Sequence, residues 1–423
     1  MKLLESILWA IVTGLILVVG ILFSKQLHYP QFCFRKMGKA LFQKSDKKSD
    51  VSMFSDFMMV LGGRIGVGSI AGVALAIWIG GPGSIFWMWV STLFSAVLSY
   101  VETYLGMKYQ RKDGQNYKGG PSYYIKYGLK NAKLGAVYAI LIIACYICGF
   151  IGIQANTIQK SVISFIPVSK VVLACFIVFL VFLIIIKGVS NISKLSAKLV
   201  PIMTLFYIGM TLFVFILSPS KILSIFQMIL TQAFQFDSII GGLIPTMIVG
   251  IQRGIFSNEG GLGTGSIASS VISSVHKKEA SYLQVLGVYI TTLGICTMTA
   301  FFLLSTPYYQ LNLTDVNGIE MIQYAFFYHY GNYGPLLLSI SIFFFSFSTI
   351  LTGYYYGESC LKYFSFGENK KVVFGLKIFT LFFIFVGMLM SSHFIWKLID
   401  LFVAIIAFIN IISMYLLRKE VDS

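Results

Sequence analysis

Two glycine-rich strings carry most of this chain's capacity for chemistry: Gly62-Gly63-Arg64-Ile65-Gly66-Val67-Gly68-Ser69 and Ser257-Asn258-Glu259-Gly260-Gly261-Leu262-Gly263-Thr264-Gly265. Each interrupts a long apolar run and holds an ionisable residue, Arg64 in the first and Glu259 in the second, with Arg253 just upstream of the latter. Glycine disfavours helix by about 1 kcal/mol per residue, so a helix is expected to stop and restart at each string. A restarted half presents unpaired amide hydrogens and a partial positive charge, which hold a carboxylate without a basic side chain. Gly66 to Ser69 and Gly260 to Thr264 supply such ends. A half that stops presents free carbonyls, and hydroxyls from a neighbouring helix can complete a cation shell around them. Ser346, Ser348 and Thr349 are candidates. Glycines and hydroxyls also let helices pack closely, and for an isolated Gly-x-x-x-Gly that reading suffices. Glu102, Glu358 and Asp400 complete the ionisable residues at membrane depth, where charge is costly and marks function or pairing. For Arg64, Glu102, Arg253 and Glu259, an ion pair that pins or gates the broken backbone fits as well as direct ligand contact.

Other chemistries lack their residues. No His–Asp set or His-Glu-x-x-His cluster falls within an apolar span, so no enzyme site is expected. His28, His276, His329 and His393 lie in polar segments or at span ends. Six cysteines are scattered; Cys145 and Cys148 share a helical face, but no histidine accompanies them and packing is the expected role. The net charge of +16 does not form a basic domain with interleaved aromatics, as nucleic-acid binding requires.

The elements that must position these residues are membrane helices. Hydrophobic residues make up 57% of 423 positions and charged residues 11%, with mean hydropathy +0.82, outside the balance of a soluble domain. Apolar runs long enough to cross about 30 Å of hydrocarbon occupy 3–24, 53–79, 84–108, 134–159, 169–186, 196–217, 239–275, 280–304, 333–362, 371–390 and 393–417. That predicts an all-α polytopic membrane protein with eleven transmembrane helices. The first run is too long for a signal peptide and lacks a small-residue cleavage site, so it reads as a retained helix.

Lys and Arg concentrate in alternate loops, seven each in 25–50 and 108–133, while 305–332 has none. Positive loops stay cytoplasmic, which places the N-terminus outside and the C-terminus inside the cell membrane. With the first helix set aside, the glycine strings fall in the first and sixth of ten helices, and the two five-helix halves enter the membrane from opposite sides. Broken segments in corresponding positions of two inverted halves point to a carrier with a midplane site. The expected organisation is an N-terminal helix and basic loop over 1–50, one repeat over 51–217 and a second over 218–423.

Several strings resemble the alanine or glycine:cation symporter family. Gly63-Arg-Ile-Gly-Val-Gly-Ser-Ile-Ala-Gly-Val-Ala74, followed by Gly80-Gly-Pro-Gly-Ser-Ile-Phe-Trp-Met-Trp89, is similar to its first core helix and exit turn. Gly119-Gly-Pro-Ser-Tyr-Tyr-Ile125 resembles its Gly-Gly-Pro motif, Arg253-Gly-Ile-Phe-Ser-Asn-Glu-Gly-Gly-Leu-Gly263 its sixth core helix, and Tyr354-Tyr-Tyr-Gly-Glu358 its eighth. The resemblance implies a five-plus-five inverted-repeat fold, sodium coupling, and a small neutral amino acid such as alanine or glycine as substrate. It further implies a sodium site from the Gly62 and Ile65 carbonyls with Ser348 and Thr349. The substrate pocket would be lined by Gly66, Gly68, Ser69, Phe256, Ser257, Asn258 and Gly260, with Gln154 and Asn156 facing it. Taken alone, that Gln-x-Asn pair reads equally as a hydrogen-bonded joint between helices, worth about 1 kcal/mol.

The sequence departs from the family pattern at Ser69, usually Asn, at Leu75, usually Thr, and at Gly260, usually Ala. Loss of the Asn amide removes a carbonyl acceptor and a donor, and Ser offers one shorter hydroxyl in their place. The expectation is a secondary transporter; a proton-coupled carrier on the same fold and a channel are the alternatives. Ser69→Asn is expected to reorder the amino acids that compete for uptake, and an unchanged competition profile removes Ser69 from the pocket.

Overall fold

The computed structural model describes residues 2–42, 52–113, 116–234, 242–310 and 318–422. The chain begins with α1 (Lys2–Gln26) and a short α2 (Phe34–Leu41), then enters the first broken helix as α3 (Met53–Arg64) and α4 (Val67–Gly80). It continues through α5 (Ser84–Lys108), a hairpin of β1 (Arg111–Asp113) and β2 (Asn116–Lys118), and α6 (Pro121–Tyr127). α7 (Ala132–Ile143) and α8 (Ile151–Ile163) form one long helix joined by a π-helical stretch, Ala144–Phe150. Next come α9 (Lys170–Ile185), α10 (Val189–Leu217) and α11 (Ser220–Ala233), and then the second broken helix, α12 (Leu243–Asn258) and α13 (Thr264–Ser269). A second π-helical stretch, Ile290–Cys296, joins α14 (Lys277–Tyr289) to α15 (Thr297–Leu304). α16 (Ile319–Tyr330), α17 (Gly334–Leu361), α18 (Lys370–Leu389) and α19 (Ser392–Leu416) complete the bundle.

Local chemistry sets many of these boundaries. Ser52 accepts a hydrogen bond from Ser55 N at the start of α3, Asn131 caps α7, and Asn369 caps α18, each satisfying an amide that a helix start leaves free. Pro121 opens α6, where its missing N–H costs nothing.

Among the described residues, nine helices are long and apolar enough to cross a membrane. Eleven spans were expected. The expected span 169–186 is the 16-residue α9. The expected span 239–275 is divided between α12 and α13, and positions 239–241 lie outside the described residues. α10 starts earlier than expected because Lys194 and Lys198 stay exposed while Ile192, Ser196 and Val200 are buried, so an amphipathic turn precedes the apolar run. α11 and α16 were not anticipated.

The broken helix 53–80 is buried along its whole apolar window, whereas α18 buries 28% of its own. The first break therefore sits at the centre of the bundle and α18 at its periphery. Around it, α3 packs on α10 and α17, α4 on α12, and α12 on α5. The ends of α1 and α5, the hairpin and the C-terminus share one face: Gln26 Nε2 donates to Arg418 O at 2.7 Å, and Lys108 pairs with Glu420 at 2.7 Å. Lys118 pairs with Glu368 at 2.6 Å on the same face. These pairs are part-exposed and worth little each.

α18 approaches α8 through Gly387, where a Cβ would lie 2.6 Å from Gly152 Cα. Gly387→Val is expected to destabilise by about 1–3 kcal/mol, the range for overpacking, and to lower the thermal unfolding midpoint in detergent. An unchanged midpoint contradicts this contact.

Candidate functional site

At the first break α3 closes with Ile65 N bonded to Leu61 O at 2.8 Å, and Gly66 N turns back to Arg64 O at 3.0 Å. Val67 N, the first amide of α4, donates to Gln154 Oε1 of α8 at 3.1 Å. The carbonyl end is met from α17. Ser348 Oγ donates to Gly62 O at 2.9 Å, and Thr349 Oγ1 lies 3.0 Å from Gly62 O and 3.2 Å from Gly63 O. Both hydroxyls also lie 3.0 Å from Phe345 O, a carbonyl that sequence reasoning missed because backbone oxygens carry no residue signature. A Cβ on Gly66 would meet Thr349 Oγ1 at 2.5 Å and Gln154 Nε2 at 3.0 Å, so α4, α8 and α17 converge there. Ile65 is buried beside this cluster. Ser346 Oγ does not join it and has no hydrogen-bond partner among the described residues.

The second break is held by one carboxylate. Glu102 Oε2 of α5 accepts from Gly261 N at 3.1 Å, Gly263 N at 2.8 Å and Asn410 Nδ2 of α19 at 3.2 Å. Gly261 (φ +92°) and Gly263 (φ +87°) adopt backbone open to glycine, which turns both amides toward Glu102. Tyr138 OH donates to Leu262 O, and Tyr124 OH to Asn410 Oδ1. Glu259 takes φ +55°, unusual for a side-chain-bearing residue. Its carboxylate is gripped by Tyr146 OH at 2.8 Å and Thr264 Oγ1 at 2.7 Å. The expected carboxylate-binding end at Gly260 to Thr264 is thus corrected: Glu102 already holds the Gly261 and Gly263 amides, Asn258 holds that of Gly260, and α13 is only six residues long.

Between the breaks, Ser69 Oγ and Ser257 Oγ are 2.9 Å apart, and Ser257 Oγ lies 2.9 Å from Cys296 Sγ. Thr299 Oγ1 donates to Ser69 O at 3.0 Å. Phe256 covers Gly68, where a Cβ would come 2.7 Å from Cδ1, and its ring lies between Phe150 and Trp396 with centroids 4.7 and 4.8 Å away. Both π-helical stretches feed this region, the first with Tyr146 and the second with Thr292 and Cys296; such bulges re-aim side chains at functional sites. Gly62, Gly66, Gly68, Ser69, Gln154, Phe256, Ser257, Ser348 and Thr349 are therefore brought together.

Others are not. Asn156 Nδ2 donates to Gly387 O at 3.2 Å and Met390 O at 2.8 Å, at the end of α18; two residues along a helix from Gln154, it points to a different face. Asn258 accepts from Gly260 N at 2.9 Å and donates to Thr292 at 3.1 Å, stabilising the break itself. Gly260 admits close approach of α5, since a Cβ would lie 2.5 Å from Ser95 O, which accounts for Gly there. Arg64 pairs with no carboxylate among the described residues: it donates to Gln284 O at 3.0 Å and Ser99 Oγ at 2.9 Å, tying α3 to α14 and α5. The tight ion pair is instead Arg253–Asp400, at 2.5 Å. Glu358 pairs with Lys362 at 3.6 Å at the end of α17. Asp56 escaped the sequence reading because it stands in the first turn of its span, where an acid reads as helix capping; it is buried and accepts from Ser269 Oγ at 3.1 Å.

A model of the sodium:alanine symporter family matches residues 1–423. The chain belongs to this family. It is 32% identical over 422 residues to a probable sodium/glutamine symporter, GlnT, of Bacillus subtilis, covering 99% of this chain and 87% of the relative. A sodium/alanine symporter, AgcS, of Methanococcus maripaludis is 31% identical over 421 residues, covering 97% and 91%. Among solved structures, a manganese transporter of Eremococcus coleocola superposes with TM-score 0.52 at 13% identity, covering 86% of this chain and 76% of that one. That likeness is one of fold. Members of the family are transporters rather than enzymes, and this chain is a multi-pass membrane transporter.

Glu102→Ala leaves the Gly261 and Gly263 amides unpaired and is expected to destabilise by about 1–3 kcal/mol per orphaned group. Glu102→Gln keeps one carbonyl acceptor and should retain more. Thermal midpoints in nanodiscs check this ordering; equal losses for both variants contradict it.

Proposed function

We propose that the protein carries a small neutral amino acid into the cell together with sodium, by alternating access. The observation that carries this reading is the convergence of the Ser348 and Thr349 hydroxyls on the Gly62 carbonyl where α3 stops. With Gly63 O and Phe345 O the cluster offers five neutral oxygens and no thiolate or imidazole. Such a set suits a small hard cation. Ile65 O, two residues beyond Gly63, is the remaining ligand of the proposal.

Substrate would lie against the first turn of α4. Gly66, Gly68 and Ser69 present the positive end of the helix to a carboxylate, with Phe256 above and Ser257 beside them. Gln154 already spends Oε1 on Val67 N, so its part is to fix that turn while its amide nitrogen stays close to Gly66. An ion between α3 and α17 orders the same turn from the other side, so sodium and amino acid each strengthen binding of the other. Relatives named for alanine and for glutamine support a neutral amino acid as the substrate.

In the same proposal, 51–217 and 218–423 are the inverted repeats, 1–50 is an added helix and loop, and the face carrying the hairpin and the C-terminus is cytoplasmic. The repeats rock about the two breaks. Arg64, joined to α5 and α14, and Arg253, joined to Asp400, close opposite ends.

Thr349→Ala removes one ligand and is expected to raise the sodium concentration for half-maximal uptake about tenfold, equivalent to about 1.4 kcal/mol, with little change in substrate ranking. Uptake into proteoliposomes across a sodium titration checks this. Uptake of alanine and glutamine that is equal with and without sodium contradicts the proposal, and uptake driven by a pH gradient alone selects proton coupling instead.

A further inference from the structure

Above Phe256, where α4 ends and α19 begins, a cleft of 270 Å³ lies between α1, α4, α12 and α19. Four charged side chains line it: Glu5 from α1, Arg253 from α12, and Lys397 and Asp400 from α19. Trp396 separates it from the residues around the first break, packing on Phe256 and approaching Gly72 of α4. The two positive and two negative charges cancel. Balanced charge of both signs suits a zwitterion better than a simple anion or cation, which would meet like charge in the same cleft.

The central pair leaves bonding capacity over. Arg253 and Asp400 meet through one Nη2–Oδ2 contact of 2.5 Å. Among the described residues, Arg253 Nε and Nη1 and Asp400 Oδ1 have no hydrogen-bond partner, although the two residues are only 4% and 5% exposed. Buried polar atoms are almost always paired, and each exception asks for an explanation. Part of the guanidinium faces the Trp396 ring, 5.1 Å from its centroid, which fixes its plane. The unused donors match a carboxylate, and the unused acceptor matches an ammonium.

We propose that this cleft is an outer binding site for an amino-acid zwitterion, separate from the Ser69–Ser257 cluster, in which Arg253 receives the carboxylate and Asp400 with Glu5 receives the ammonium. The inference rests on the amino-acid reading above for its ligand class but not on sodium coupling. It also gives α1 a task. This helix brings Glu5 to the wall and, through Trp9 Nε1 donating to Asp400 O at 3.2 Å, holds the third turn of α19 in place.

His393 is exposed and lines the same cleft. A His393→Cys variant, with Cys33, Cys148 and Cys175 replaced, is reconstituted in nanodiscs in sodium-free buffer and modified with a cationic methanethiosulfonate. Alanine or glutamine is expected to slow modification about threefold at roughly twice its Kd. Alaninamide, which lacks the carboxylate, and propionate, which lacks the ammonium, should not. Arg253→Gln and Asp400→Asn should each abolish protection, and Glu5→Gln, which leaves the Arg253–Asp400 pair intact, should weaken it. The modification rate without amino acid reports whether each variant is folded. No protection by either amino acid, equal protection by the one-charge analogues, or protection that survives in all three variants overturns the outer site. Thr349→Ala should keep protection. Sodium-independent uptake alongside intact protection overturns the coupling reading alone, and sodium-dependent uptake without protection overturns the outer site alone.

Discussion

A helix broken inside hydrocarbon exposes amides and carbonyls that water cannot reach, and every one of them needs a partner from the protein. The arrangement of this bundle follows from that demand. Glu102 on α5, Asn410 on α19 and Tyr138 on α7 satisfy the second break, while Gln154 on α8 and Ser348 and Thr349 on α17 satisfy the first. The helices that surround the breaks are those that supply the partners. Their packing registers are set by a handful of polar side chains in an otherwise apolar interior.

The two solutions differ in kind. At the second break a single oxygen of the Glu102 carboxyl group accepts from three donors at once, two backbone amides and Asn410. Such a joint is a pin. At the first break the partners are hydroxyls and an amide side chain, neutral groups that can turn and exchange one partner for another at modest cost. Binding needs groups that change partners. In the proposed mechanism the ion and substrate sit at the first break, with the second as the fixed wall against which Phe256 and Ser257 are presented.

Much of this was legible in the residues. Glycine density located both breaks, and apolar length predicted most helix boundaries to within a few residues, as with Ser84–Lys108 and Gly334–Leu361. Hydroxyls on one helix offered Ser346, Ser348 and Thr349, and the family resemblance narrowed them to Ser348 and Thr349. What escaped depended on which residue faces which across space. Asn156 was assigned to the pocket with Gln154, yet a two-residue step along a helix turns it to the end of α18. Glu102 was singled out as ionisable, but nothing along the chain ties position 102 to the amides of 261 and 263. The two π-helical stretches carry no sequence mark, although they aim Tyr146 and Cys296 at the breaks. Asp56 was hidden by a position that fits a helix cap equally well.

The central claim is that ion and amino acid are bound through one shared turn of backbone at the first break, so their affinities must be linked. Equilibrium binding of labelled alanine to purified protein in nanodiscs, repeated across sodium concentrations at fixed ionic strength, measures that linkage directly. The account predicts that alanine affinity rises with sodium and that sodium affinity rises by the same factor when alanine is added, as reciprocity requires. An alanine affinity that stays constant across the sodium series would contradict it.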